Sequence, residues 1–200
     1  MTHETAFEMA TANIRFGGGV TREVGMDLAD MGVRRAMVLT DRNLAGLPPV
    51  AAVAESLRAE RVEFELFDRV RVEPTDASFA EAIAAAQEGD FDAFVAVGGG
   101  SAIDTAKAAN LYCTYPADLF EYVNAPIGRG SAVPGPLRPL IAVPTTAGTG
   151  SETTGVAIFD VVAMKAKTGI ADRRLKPTLG LVDPENTRTL PPMAAASSHP

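Results

Sequence analysis

Apolar and polar positions along this chain follow two alternating periods. Short apolar runs at Arg34–Asp41, Phe91–Val97, Leu140–Thr146 and Leu179–Asp183 end on glycine, an acid or a hydroxyl and read as buried strands. Val62–Asp68 alternates instead, as expected of a strand with one face in water. Between these runs apolar residues recur at helical spacing: Val20, Val24, Leu28 and Met31; then Val50, Val53, Ala54 and Leu57 after Pro48-Pro49; then Phe79, Ala82, Ile83 and Ala86, stopped by Gly89; then Ala102, Ala106, Ala109 and Cys113. Strand and helix in alternation predict an α/β fold. The same alternation predicts a parallel sheet with right-handed crossovers and helices on both faces.

The remaining stretches are less regular. Ala6–Phe16 reads as a strand or extended lead-in, and Gly17-Gly-Gly19 as a turn at the domain edge that also has the make-up to approach a ligand. Residues 114–138 form a long proline- and glycine-rich connection, with Phe120–Val123 as a short helical turn. Val156–Asp160 and Lys165–Ala171 read as partner strands, and Thr189–Ala196 begins another helix.

Chemistry concentrates at the turn after Phe91–Val97. Gly98-Gly-Gly-Ser101 removes the side chains that would hold a ligand off the backbone, just where a helix begins and its free N–H groups carry partial positive charge. One reading is an anion site for the pyrophosphate of a dinucleotide. The other is a glycine turn before a capped helix, with Ser101 and Asp104 at the spacing of a capping box.

Asp41, at the carboxyl end of its strand, is placed to accept hydrogen bonds from a ribose 2'-OH and to repel the extra phosphate of NADP, which predicts NAD. It is equally a residue that starts a turn. The acid precedes the glycine turn by two strands, the reverse of the G-x-G-x-x-G fingerprint, so the sheet is wired differently from the ordinary dinucleotide fold. Ala147–Thr154 combines hydroxyls with two glycines and suits either a polar ligand or a plain loop.

Composition narrows the function classes. The 200 residues suit one domain or slightly more, and the formal charge of -7 with scattered Lys and Arg excludes a nucleic-acid surface. Uncharged stretches are too short for a bilayer, and residues 1–30 are acidic, unlike a leader, which predicts a cytoplasmic chain. The single cysteine, Cys113, reads as a packing residue, and with only two histidines, His3 and His199, one near each terminus, no histidine cluster for a metal is expected in a rigid core.

Gly98–Lys107, Ala142-Val-Pro-Thr-Thr-Ala-Gly-Thr-Gly-Ser-Glu-Thr153 and Pro177-Thr-Leu-Gly-Leu-Val-Asp-Pro184 together resemble the iron-containing alcohol dehydrogenase family in order and spacing. The flanking wording, such as Arg71-Val-Glu-Pro-Thr-Asp76 and Gly155-Val-Ala-Ile-Phe-Asp160, is similar to the branch that moves hydride between hydroxyacids and oxoacids. The resemblance implies a Rossmann-like, dehydroquinate synthase-like sheet over residues 1–188, followed by an all-helical metal-binding domain of which 189–200 would be the start. It implies that Asp41 holds the adenosine ribose, and that Gly99 and Gly100 with Ser101 hold the pyrophosphate. Thr145, Thr146, Thr149 and Ser151 then lie along the nicotinamide half, and Lys167 stands where the family has a cofactor-contacting lysine. With Gly98 and Asp104, these are the candidate cofactor residues.

The implied reaction passes hydride from 4-hydroxybutyrate to bound NAD and on to 2-oxoglutarate. A divalent iron or zinc ion would act as Lewis acid. The family's metal ligands begin with an Asp and a His four apart, and Ala196-Ser-Ser-His-Pro200 carries no such pair, so these residues are expected to be a fragment with no metal site of its own. Two alternatives stay open: a non-catalytic NAD-binding domain, and a family member acting on another small alcohol. A homo-oligomer is compatible with all of them.

Overall fold

The computed structural model describes residues 13–188. Six strands, β1 (Ile14–Phe16), β2 (Arg35–Leu39), β3 (Glu63–Phe67), β4 (Ala93–Gly98), β5 (Leu140–Pro144) and β8 (Leu179–Val182), form one sheet in the order β1-β8-β5-β4-β2-β3. Every neighbouring pair is parallel, as the alternation of strand and helix requires. The edge strand β3 buries little beyond Phe67, in line with its alternating sequence.

Helices α1 (Val24–Asp30) and α2 (Pro48–Ala59) cover one face, packing Val24, Leu28, Val53 and Leu57 on Val38, Val95, Val97, Ile141 and Val143. Helices α3 (Asp76–Glu88) and α4 (Gly100–Thr114) cover the other, packing Ala82, Ala86, Ile103 and Ala106 on Met37, Leu39, Phe94 and Ala142. Alanines at the α4 contacts let that helix lie close to the sheet. Cys113 packs at the edge of this second core, its thiol directed at the Ala86 carbonyl, as a packing residue should.

A third core lies outside α3 and α4. The antiparallel hairpin of β6 (Val156–Val161) and β7 (Ala166–Ala171) brings Phe159, Val161 and Ile170 onto Phe79, Leu111 and Tyr112, and the 115–139 connection adds Tyr122, Val123 and Val133. Phe79 and Phe159 stack with ring centroids 4.8 Å apart. As a result α4 is buried from Ala102 to Tyr112 on every side, polar residues included.

Two local expectations change. Phe120–Val123 is a set of bends rather than a helical turn, because the carbonyls of Phe120, Glu121 and Val123 accept from Arg129, Ser131 and Gly130 instead of from residues four ahead. The first strand is Ile14–Phe16, while residues 6–12 of the expected lead-in and the helix expected from Thr189 lie outside the described residues, as do His3 and His199. Gly17–Gly19 is a turn, with Gly19 at φ 83° donating its N–H to Asp183. No helix among the described residues is long and apolar enough to cross a membrane.

Candidate functional site

Sheet register sets the site. Leu39 lies opposite Ala96 and Gly98 opposite Pro144, so Asp41, the Gly98–Ser101 turn and Thr145 leave the sheet at one carboxyl edge, where parallel sheets bind ligands. The Thr145 N–H donates to the Gly98 carbonyl at 3.0 Å and carries the β4–β5 ladder one step past the strands.

Gly98 has φ 153°, a left-handed backbone, and a Cβ there would come within 2.7 Å of Ala102 Cβ. At Gly99 a Cβ would stand 3.0 Å from Thr146 Oγ1, and at Gly100 it would stand 3.1 Å from both Ser151 Oγ and Thr149 Oγ1. The three hydroxyls therefore occupy the space the glycines leave, directly over the start of α4. This is the tertiary meeting of two motifs that are some 45 residues apart by their numbers.

Ser101 and Asp104 do not form a capping box, which corrects that part of the sequence reading. The N-cap of α4 is Gly99, with no side chain to cap the helix, so the Gly100 and Ser101 N–H groups have no intrahelical acceptor. The Ser101 hydroxyl instead accepts from the Glu73 N–H at 3.3 Å, which ties the turn to the Arg71–Asp76 segment. Glu73 sits at φ 57°.

Asp104 turns from the helix cap toward the loop and the hairpin, and the Ser151 hydroxyl is one of its hydrogen-bond partners. Its Oδ2 accepts from the Ile158 N–H at 3.0 Å and its Oδ1 lies 3.4 Å from Lys107 Nζ. The Lys107 ammonium is fully buried and also donates to the Val156 carbonyl at 2.7 Å. Burial pushes the Asp104 carboxyl up and the Lys107 ammonium down, each partly offset by the other. Lys107 is the residue that periodicity misses, and its only sequence signal is a charge three residues after Asp104 on a helix otherwise rich in alanine.

Asp41 takes the turn role. Its Oδ1 accepts from the Asn43 and Leu44 N–H groups at 2.8 and 3.2 Å, while Oδ2 makes no such bond in the turn. Leu44, which this turn places, stands 3.4 Å from a Cβ on Gly98. A cavity of about 570 Å³ extends from Asp41 past Arg42, Arg69, Arg71 and Val72 to Thr75, so it runs alongside the segment bonded to Ser101. Lys167 is exposed on the hairpin, 3.6 Å from Asp160, whose N–H donates to the Pro74 carbonyl. It is not among the residues that line this cavity, so the structure does not bring it together with Asp41 and the glycine turn.

These residues fit an anionic dinucleotide: a helix start with no side-chain cap, hydroxyls above it, and an acid beside a cavity with one oxygen outside its turn. They do not fit a metal, since among the described residues no group of three or more His, Cys, Asp or Glu is placed to hold one.

Residues 11–184 match the model of "Iron-containing alcohol dehydrogenase". The mitochondrial hydroxyacid-oxoacid transhydrogenase of Xenopus tropicalis is 62% identical over 196 residues, 98% of this chain and 42% of that protein, and the human one is 58% identical over 198 residues with the same coverage. The chain thus spans less than half the length of these relatives. Among solved structures, 1,3-propanediol oxidoreductase superposes with TM-score 0.88 at 28% identity over 96% of this chain and 50% of its own. Sulfoacetaldehyde reductase from Bifidobacterium kashiwanohense in complex with NAD+ does so with TM-score 0.85 at 28% identity over 97% of this chain and 50% of its own.

The relatives' names overturn the cytoplasmic expectation. They are mitochondrial proteins and point to the mitochondrion, because the acidic make-up of residues 1–30 does not report on compartment. With residues 11–184, most of this chain, matched by the family model, this chain belongs to the iron-containing alcohol dehydrogenase family.

Proposed function

We propose that residues 1–188 are the NAD-binding half of a metal- and NAD-dependent oxidoreductase that transfers hydride between a hydroxyacid and an oxoacid, with 189–200 the start of the metal-binding half. The observation that carries the cofactor reading is the convergence of Thr146, Thr149 and Ser151 over the uncapped Gly99–Ser101 helix start. The substrate class, a hydroxyacid and an oxoacid, rests on the relatives' names, and 4-hydroxybutyrate with 2-oxoglutarate is the pair that the family resemblance implies.

NAD, when bound, supplies the hydride acceptor and donor. The Gly100 and Ser101 N–H groups and the α4 dipole hold the pyrophosphate. Asp41 accepts a ribose hydroxyl on Oδ2 while Oδ1 keeps its turn. The hydroxyls of Thr146, Thr149 and Ser151 set the orientation of the nicotinamide half, with Thr145 bracing their loop against β4. No step is assigned to a metal on these residues.

The test is a fluorescence titration of the 200-residue chain with NADH, repeated on Asp41→Ala and Gly99→Val. Saturable binding that both variants lose or weaken is expected. No saturable binding by a chain shown to be folded would overturn the cofactor reading. Hydride exchange between 4-hydroxybutyrate and 2-oxoglutarate is a separate assay, and its failure alone leaves the cofactor half standing.

A further inference from the structure

The hydroxyl loop from Thr145 to Thr154 is exposed over much of its length, yet Thr146, Thr149 and Ser151 stand where Cβ atoms on Gly99 and Gly100 would press on them. Something must hold it there. At its upstream end the Thr145 N–H is bonded to the Gly98 carbonyl. At its downstream end the fastening is Lys107, whose Nζ reaches the Val156 carbonyl at 2.7 Å, Thr154 Oγ1 at 3.4 Å and Asp104 Oδ1 at 3.4 Å. Asp104, one turn earlier on the same helix and held beside the Lys107 ammonium, takes the Ile158 N–H and bonds the Ser151 hydroxyl of the loop itself.

A fully buried lysine is an expensive way to fill space, and an apolar residue would pack the same volume at less desolvation cost. What an apolar residue could not do is satisfy the Val156 carbonyl, the Thr154 hydroxyl and the Asp104 carboxylate together. Both charged groups spring from α4, the helix whose start is the anion site, and both grip the same short segment. The pair therefore couples the loop to that helix.

We propose that Lys107 is a positioning residue: its buried ammonium ties Thr154–Val156 to α4 and thereby fixes the Thr146–Ser151 hydroxyls over the helix start for an anionic dinucleotide. This rests on the cofactor reading above, and its test has one arm that does not.

The first arm is amide hydrogen exchange on the cofactor-free chain, wild type against Lys107→Met. Exchange across residues 147–154 is expected to speed up by roughly tenfold or more while the β4 amides keep their wild-type rates. Unchanged exchange in the loop overturns the proposal. The second arm is the NADH titration, in which Lys107→Met is expected to weaken binding by roughly tenfold. A loosened loop with unaltered NADH affinity also overturns it, since the fastening would then serve the hairpin alone.

Should Lys107→Met not fold, the double variant Asp104→Asn with Lys107→Met removes both buried charges and enters the same two arms. It is expected to regain stability but not the loop protection or the affinity. A double variant that regains both overturns the proposal. If the wild type itself binds no NADH, the cofactor reading fails, and the fastening of the loop by Lys107 is decided by the exchange arm.

Discussion

Thr146 stands over Gly99, its Oγ1 3.0 Å and its Cγ2 3.3 Å from the point a Cβ on Gly99 would occupy. An alanine at position 99 must push Thr146 aside by a few tenths of an ångström, and the branched methyls of valine must push it further. Gly99→Ala is expected to cost about 1 kcal/mol of stability and Gly99→Val about 2 or more. Because the displaced hydroxyl belongs to the proposed cofactor site, Gly99→Val is also expected to weaken NADH binding by more than roughly tenfold. Urea unfolding and the NADH titration report the two effects separately. A Gly99→Val chain with wild-type affinity would show that Thr146 plays no part in binding.

Asp41 has one oxygen in a turn and one oxygen that the turn leaves unengaged, and two substitutions separate these roles. Asp41→Asn keeps an acceptor for the Asn43 and Leu44 N–H groups, so stability should stay close to wild type. Asp41→Ala should lose about 1 kcal/mol through those bonds. On the proposed reading both variants narrow the preference for NADH over NADPH, because the charge that repels a 2'-phosphate is gone. Paired titrations check this, and an unaltered ratio in both variants would remove Asp41 from the ribose.

Asp183 fastens the Gly17–Gly19 turn. Its carboxylate accepts from the Gly19, Thr21 and Glu185 N–H groups and from the Thr21 hydroxyl, all between 2.8 and 3.2 Å. Burial alone would raise its pKa, but the Thr21 hydroxyl and these N–H groups outweigh burial and hold it below the usual carboxylate range. A depressed folded value means that the stabilisation is fully present above the unfolded value of about 3.9 and is lost as pH falls through the folded one. Asp183→Asn puts an NH2 against one set of these donors whichever way the amide turns, and should cost about 1–3 kcal/mol at neutral pH. The gap between wild type and variant should narrow below about pH 4, as read by urea unfolding at both pH values.

Thr40, the residue before Asp41, is fully buried, and its hydroxyl has no hydrogen-bond partner among the described residues. Valine has nearly the same shape without that group. Thr40→Val is expected to raise stability by about 1 kcal/mol, seen as a higher urea midpoint at unchanged slope. A loss of stability would mean the hydroxyl is satisfied in solution.

The parallel sheet and its helices were readable from period alone, because each buried strand is a continuous apolar run and each helix carries an apolar stripe. The turn from Gly98 to Ser101 and the acid at Asp41 were readable because each follows directly on such a run. Their exact roles were not. Whether Asp41 caps a turn or faces a ribose, and whether Ser101 or Gly99 caps α4, depends on backbone geometry that residue type leaves open.

The sequence by itself therefore determined the order of elements and the carboxyl edge on which the site would lie. Tertiary structure decided what stands over that edge. The strand order sets β5 beside β4, which brings Thr146, Thr149 and Ser151 onto Gly99 and Gly100 across a long sequence gap. It also decided that Lys107 is buried. A helix pattern shows which stripe faces the sheet, but the opposite face of α4 is covered by the β6–β7 hairpin and the 115–139 connection. Local periodicity cannot encode that contact, because its partners lie far away in sequence.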